Sequence, residues 1–367
     1  MPENIIRMDM GINTEHKKSD KSVLCLGVES SCDETSAAIV DSDKNILAHI
    51  IYSQIPEHQK YGGVVPELAA RAHILAVDEV IRLTLERAGK TIDDIDVIAA
   101  TAGPGLIGGV LVGWMAATGI ANAKNKPLVA VNHLEGHALV PRLCAASASD
   151  STTNIDIKFP YLLMLASGGH CQILLVHNVG KYELIGQTLD DSAGEAFDKV
   201  AKMLGLGYPG GPKVEKAAHN GNPKAYVFPR AKIDEHPYDF SFSGVKSAVL
   251  NTINAANMKG ETVNPDDIAA AFQESVIDSM RERVLMAIDE FGMKKFAMAG
   301  GVASNQTIRH ALQEACEGVG AEFFCPPPIL CTDNAAMIAS AGFYRFQKGE
   351  RAGWDLNAVP NLKLGER

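Results

Sequence analysis

The feature that most constrains this chain is an order of elements that occurs twice. Residues 23–29, 37–40 and 46–52 are apolar runs separated by polar turns, the pattern of three consecutive strands in a meander. Helical spacing begins at Pro66, with Leu68, Ala72, Leu75, Ala76, Val80 and Leu83 recurring on one side. A strand at 97–101, a glycine-rich turn into a helix over 103–123, and a strand at 128–131 complete the first set. A polar stretch at 147–158 reads as a linker. The order then recurs: strands at 161–166, 172–177 and 182–188, helices, a strand at 296–298, a helix at 306–316, a strand at 322–325 and a last helix at 334–348. No sequence repeat underlies it; only the order repeats. The expectation is an α/β protein of two duplicated domains with a ligand cleft between them. Residues 22–150 would form the first domain and 151–367 the second, the last helix being free to pack back on the first.

Bulk properties narrow the class. A chain of 367 residues with 46% hydrophobic and 21% charged residues is ordinary for a globular protein, which argues against disorder. The longest apolar stretch, near 106–123, is interrupted by glycines and reads as a buried helix, not a membrane span. Seven cysteines without a C-x-x-C pair argue against both a disulfide framework and a zinc knuckle, and fit a reducing, cytoplasmic location. Residues 1–21 carry no apolar targeting core and read as a disordered tail. The net charge of −10 means that any contact with nucleic acid must be a local patch or be shared with another subunit.

The strand at 128–131 leads into His133-Leu134-Glu135-Gly136-His137. Four residues along a helix leave the two imidazoles roughly 40° apart around the axis and one turn apart along it, so both can grip one metal ion. A zinc protease needs its glutamate beside the first histidine, whereas Glu135 falls about 200° around the helix. A plainer reading makes His133 a helix cap and His137 a satisfied polar residue. Further along, Cys331-Thr332-Asp333-Asn334 precedes the last helix. Thr332 or Asp333 can serve as its N-cap; alternatively Asp333 supplies a third ligand, making a two-histidine, one-carboxylate site suited to iron(II) or zinc.

Four glycine-rich turns flank predicted strands: Ala102-Gly103-Pro104-Gly105, Ser167-Gly168-Gly169-His170, Pro209-Gly210-Gly211-Pro212 and Ala299-Gly300-Gly301-Val302. Such turns expose backbone N–H groups to phosphates and purine edges, and together they favour a nucleotide site. Glu195 has capping-box spacing from Ser192 and reads as structural. Asp198 and Glu215 are either ligands of ribose hydroxyls or solvated helix-surface acids.

The duplicated meander-plus-helix plan resembles the actin, sugar-kinase and heat-shock-ATPase superfamily. Six motifs in order carry a closer resemblance: His133-x-Glu135-Gly136-His137, Ser167-Gly168-Gly169-His170, the run from Asp190 to Lys199, Tyr208-Pro209-Gly210-Gly211-Pro212, Phe242-Ser243-Gly244-x-Lys246 and Ala299-Gly300-Gly301-Val302-x-Ser304-Asn305. Together they resemble the universal tRNA threonylcarbamoyladenosine transferase family, once labelled O-sialoglycoprotein endopeptidases. The resemblance runs from about Val23 to about Gly349.

That resemblance implies transfer of a threonylcarbamoyl group from threonylcarbamoyl-AMP to N6 of the adenosine 3′ of the anticodon, in tRNAs that read codons beginning with A. It implies a divalent metal, iron(II) before zinc, on His133, His137 and Asp333. The acyl-adenylate would lie along Leu165, Ala166, Ser167, Gly168 and Gly169, with Asp198 and Glu215 near the ribose and Gly211 and Asn305 around the nucleoside. Asp33 and Glu34 would orient or deprotonate the attacking amine. Partners implied are tRNA, a TsaB-like paralogue and a TsaE-like small ATPase, with no membrane; a partner interface is expected on the helices near 66–87 and 105–123. Ala335 and Ala166 depart from the usual glycine and valine, without touching a side chain assigned to chemistry. The rival readings are a phosphotransferase or ATPase of the same superfamily, a metal-dependent glycoprotease, and a nucleotide-binding scaffold.

Overall fold

The structure, a computed structural model, describes residues 5–7, 22–143, 157–230, 233 and 235–366. The chain divides into two compact units: Met1–Lys158 with Asn178–Tyr182 and Ile329–Arg367, and Phe159–His177 with Glu183–Pro328.

The first unit runs β1 (Ile5–Arg7), β2 (Leu24–Glu29), β3 (Glu34–Asp41), β4 (Ile46–Ser53), α1 (Ile55–Gln59), α2 (Pro66–Ala88), β5 (Val97–Gly103), α3 (Ile107–Ala123), β6 (Leu128–Asn132) and α4 (His133–Leu139). Its sheet has the order β1-β4-β3-β2-β5-β6. The meander β2-β3-β4 is antiparallel, as its short turns require. β5 joins β2, and β6 joins β5, in parallel, and the crossovers such steps need are α2 and α3. β2 and β5 are buried along their whole length, which is why each reads as an apolar run without alternation. Of the tail 1–21, only Ile5–Arg7 lies within the described residues, as a strand antiparallel to β4. Most of the linker 147–158 also lies outside them.

Several boundaries differ from the sequence reading, among them the start of β3, which takes in Glu34, and the junction of β5 and α3. β5 continues to Gly103, and α3 starts only at Ile107. Gly103 has φ 139°, and a Cβ there would stand 1.9 Å from the Val359 carbonyl oxygen, so backbone geometry and crowding both demand glycine.

The second unit runs β7 (Tyr161–Ala166), β8 (Cys171–Asn178), β9 (Lys181–Gln187), α5 (Ala193–Met203), α6 (Gly210–Ala218), α7 (Ser243–Met258), α8 (Pro265–Glu290), β10 (Lys295–Ala299), α9 (Gln306–Gly318) and β11 (Glu322–Phe324). Its sheet order is β11-β10-β7-β8-β9, with β7 and β8 antiparallel and β10 parallel to both β7 and β11. Read from β4 and from β9, the two sheets place the third, second, first, fourth and fifth strands of their sets in the same order. The repeated order of elements is thus a repeated topology. α5 buries Ala193, Ala196, Phe197, Val200 and Ala201 at helical spacing, and Phe197 meets Phe272 of α8 edge to face at 5.0 Å.

The chain then returns to the first unit through α10 (Pro328–Cys331) and α11 (Ala335–Gln347). α11 is buried along most of its length against β2 and β5. Its backbone comes so close that a Cβ at Gly27 would stand 2.4 Å from the Ala335 oxygen, and one at Gly342 would stand 2.3 Å from Ala99 Cβ. This docking carries residue 333 to α4. Among the described residues, no helix is long and apolar enough to cross a membrane.

Candidate functional site

α4 starts directly at the end of β6, and its cap is Asn132, not His133: the Asn132 side chain accepts from Leu134 N at 2.9 Å. With the cap supplied by the preceding residue, His133 and His137 project from one face, ring centroids 4.8 Å apart and nearly perpendicular. Asp333 Oδ1 lies 3.1 Å from His137 Nε2 and 3.4 Å from His133 Nε2. One ligand atom from each of the three residues falls within 4.8 Å of the others. The N-cap of α11 is Asn334, whose Oδ1 accepts from Met337 N at 2.9 Å; the expected cap at Thr332 or Asp333 is therefore corrected. Asn334 also donates to the Leu330 and Thr332 carbonyls, and so holds the turn that aims Asp333 at the histidines.

This donor set fits a divalent cation. Two imidazole nitrogens and one carboxylate oxygen converge on one point, and three ligands leave positions open for a substrate. Burial alone would lower the His133 pKa, but the Asp333 and Glu29 carboxylates override it and hold it well above its ordinary value. At His137 burial wins and the pKa is lowered. Burial would raise Asp333, yet the neighbouring histidines hold it well below the usual carboxylate range.

Glu135 takes no part in this centre. It is fully buried and ion-paired with Arg345 Nε of α11, and its Oε1 accepts from Tyr182 Oη at 2.6 Å and from Gly180 N at 3.0 Å. The glutamate of the His-x-Glu-x-His run is thus a structural tie.

Asp33 and Glu34 lie where the β2–β3 turn enters β3. The turn is anchored from α2: His73 Nε2 donates to the Cys32 carbonyl at 3.0 Å while its Nδ1 meets Thr35 Oγ1 at 2.7 Å. Burial, then the charges of Asp33 and Asp333, hold the Glu34 carboxyl well above its ordinary value.

In the second unit, Leu165 and Ala166 end β7 and are buried. Ser167 to His170 form a tight turn closed by Ser167 N donating to the His170 carbonyl at 2.7 Å. Ser192 Oγ donates to the Gly168 carbonyl at 2.6 Å and accepts from Glu195 N at 3.1 Å, so Ser192 both caps α5 and fastens the turn. Asp198 Oδ1 accepts from Gly210 N at 2.7 Å, at the start of α6. Glu215 Oε1 accepts from Gln306 N at 2.6 Å and Thr307 N at 3.3 Å, at the start of α9. Asn305 caps α9 through Ile308 N at 2.9 Å and donates to Gln273 at 2.8 Å. Asp198, Glu215 and Asn305 therefore each hold a helix N-terminus. A Cβ at Gly168, Gly169 or Gly211 would meet nothing within 4 Å, so these three backbones face open space.

A profile described as TsaD, tRNA N6-adenosine threonylcarbamoyltransferase, matches residues 45–340. The chain belongs to this family. The Clostridium botulinum tRNA N6-adenosine threonylcarbamoyltransferase is 50% identical over 347 residues, covering 95% of this chain and 99% of the relative. That of Desulfitobacterium hafniense is 51% identical over 346 residues, with 94% and 99% covered. Among solved structures, component A of the Acidaminococcus fermentans (R)-2-hydroxyglutaryl-CoA dehydratase aligns at TM-score 0.52 and 20% identity, covering 89% of this chain and 99% of that one. HypF of T. kodakarensis aligns at 0.57 and 15%, covering 89% and 48%. At such identities these two speak for the fold alone, the actin-like plan with its duplicated domains.

Several residues that build the site escaped the sequence reading. Glu29 and Ser31 flank His133, Thr101 holds Glu29, Asn334 aims Asp333, and Arg345 occupies Glu135. The one available signal was Glu29 itself, a charge at the end of an otherwise apolar buried strand.

Proposed function

We propose that this chain transfers the threonylcarbamoyl group of threonylcarbamoyl-AMP to N6 of the adenosine 3′ of the anticodon, in tRNAs reading codons that begin with A. The observation that carries this reading is identity of 50% or more, over nearly the whole of both chains, to relatives bearing that activity's name.

The N6 amine is a weak nucleophile because its lone pair is delocalised into the purine. Its attack on the carbamoyl carbon forms the C–N bond, the C–O bond to phosphate breaks, its electron pair leaves with AMP, and a proton must leave the nitrogen. We assign the proton to the Asp33–Glu34 pair. Burial and the neighbouring carboxylates raise the proton affinity of Glu34, which makes its carboxylate a stronger base than an ordinary one. His133, His137 and Asp333 would hold one divalent cation, iron(II) or zinc, which when bound supplies a Lewis acid for anhydride oxygens.

In the second unit, we assign Leu165, Ala166, Ser167, Gly168 and Gly169 to the acyl-adenylate, Asp198 and Glu215 to the ribose, and Gly211 and Asn305 to the nucleoside. The open space beside Gly168, Gly169 and Gly211 supports this, since a backbone without side chains can approach a ligand closely. Asp198 and Glu215 already accept amide bonds, and a carboxylate has lone pairs beyond those. Their caps fix them in place for a second, ligand contact.

Partners follow from charge and surface. An acidic chain needs basic surface from elsewhere to hold tRNA, and we assign a TsaB-like paralogue and a TsaE-like ATPase to the assembly, in the cytoplasm. α2 and α3 expose Leu75 (85%), Ile74, Met115, Ile107 and Leu111, an apolar face suited to the paralogue. The test is reconstitution: chain, both partners, threonylcarbamoyl-AMP and unmodified tRNA, with threonylcarbamoyladenosine measured in digested tRNA. Product formed without ATP turnover by this subunit supports the transferase; γ-phosphate transfer with no modified adenosine replaces it by a phosphotransferase.

A further inference from the structure

Glu29 is a fully buried carboxylate at the end of β2, and the site chemistry above does not use it. A lone charge in that position is costly unless hydrogen bonds compensate it, and here they do. Oε1 accepts from Ser31 N at 2.5 Å, and Oε2 accepts from Thr101 Oγ1 at 2.6 Å. The remaining neighbour of Oε2 is His133 Nδ1, at 3.1 Å. The strand register makes this convergence: Val28 pairs with Ala100 in the parallel β2–β5 ladder, so Glu29 and Thr101 follow side by side.

The chemistry of the contact sets the His133 tautomer. Nδ1 also lies 3.0 Å from Ser31 Oγ, whose hydroxyl can donate or accept. A carboxylate can only accept. An Nδ1 lone pair facing Oε2 would set two electron pairs against each other in a buried site, so Nδ1 carries the proton. A cation that displaces the proton on the Asp333 side would then be met by the Nε2 lone pair, since Nε2 is the nitrogen that faces Asp333. The two histidines differ here: the buried His137 Nδ1 has no hydrogen-bond partner among the described residues.

We infer that Glu29 is a positioning residue of the metal centre: its carboxylate fixes the ring and tautomer of His133 so that Nε2 is presented to the cation. This rests on reading His133, His137 and Asp333 as metal ligands. Glu29 makes His133 the pre-set ligand, while His137, held by Asp333 at Nε2, has no such carboxylate behind its Nδ1.

The test is zinc(II) binding by the full chain, measured in competition with a chromophoric chelator, for wild type and Glu29→Gln. The substitution keeps size and an acceptor oxygen while removing the charge. The expected result is an affinity about 10–100-fold weaker for Glu29→Gln, in a metal-free protein that still unfolds cooperatively in urea. Equal affinities in two folded proteins overturn the role of Glu29 and leave the metal site standing; a wild type that binds no zinc overturns both. Should Glu29→Gln fail to fold, nitrogen-15 histidine NMR of the zinc-loaded wild type decides. A His133 proton on Nδ1 supports the role, and a proton on Nε2 contradicts it.

Discussion

The carboxylate of Glu135 is bound to the guanidinium of Arg345, both side chains buried, so the acidic residue between the two histidines joins α4 to α11 and is withheld from chemistry. A buried ion pair is costly to break from one side, because the surviving charge is left uncompensated. Arg345→Met is therefore expected to lower unfolding free energy by about 3–5 kcal/mol in urea titration. A loss below about 1 kcal/mol, the range of an exposed pair, would show that the joint is not what holds the helices together.

Asn334 makes three bonds around the turn that carries Asp333, one to the α11 N-terminus and two to carbonyls before it. Asn334→Ala is expected to cost about 1–2 kcal/mol of stability as a lost cap. It should also weaken zinc binding, because Asp333 loses its support. Calorimetry on the same variant reads both, and intact affinity alongside reduced stability would separate the cap from the ligand.

His49 is buried and meets Ser36 Oγ at 3.1 Å, and burial depresses its pKa to about 4. Because the folded value lies below the unfolded one of about 6.5, the unfolded chain binds the proton first. The contribution of His49 is fully present above pH 6.5 and is lost as pH falls towards 4, in total about 3 kcal/mol. Urea unfolding of wild type and His49→Gln at several pH values between 4 and 7 checks this. The variant is expected to show the shallower slope, and parallel slopes would refute it.

Leu75 is the most exposed large apolar residue of α2. Leu75→Glu should leave stability within about 0.5 kcal/mol, as surface substitutions do. It should nonetheless abolish association with the proposed TsaB-like partner in analytical ultracentrifugation. An unaltered complex would move the interface elsewhere.

The readable and unreadable parts of this molecule differ in how far apart in sequence the determinants lie. The two meanders show as apolar runs because each strand's burial is written in consecutive residues, and β2 and β5, covered on both faces, lack alternation. His133 and His137 declare their common face because one short helix carries both. Asp333 lies 196 residues from His137 and arrives only because α11 packs onto the sheet, over Gly27 and with its own Gly342 against Ala99. Glu29 reads as a strand end; its role needs Thr101, Ser31 and His133 to converge on it. The capping work of Asp198 and Glu215 was hidden for the same reason, since the amides they bind open α6 and α9.

The most direct measurement compares Asp333→Ala and Glu135→Gln with wild type in the reconstituted reaction, scoring bound metal and threonylcarbamoyladenosine in the same samples. Asp333→Ala, which removes the carboxylate facing both histidines, is expected to lose metal and product together. Glu135→Gln, altered on the α11 side of α4, is expected to keep both wherever it remains folded. Product formed at the wild-type rate by a metal-free Asp333→Ala protein would contradict a metal-assisted transferase.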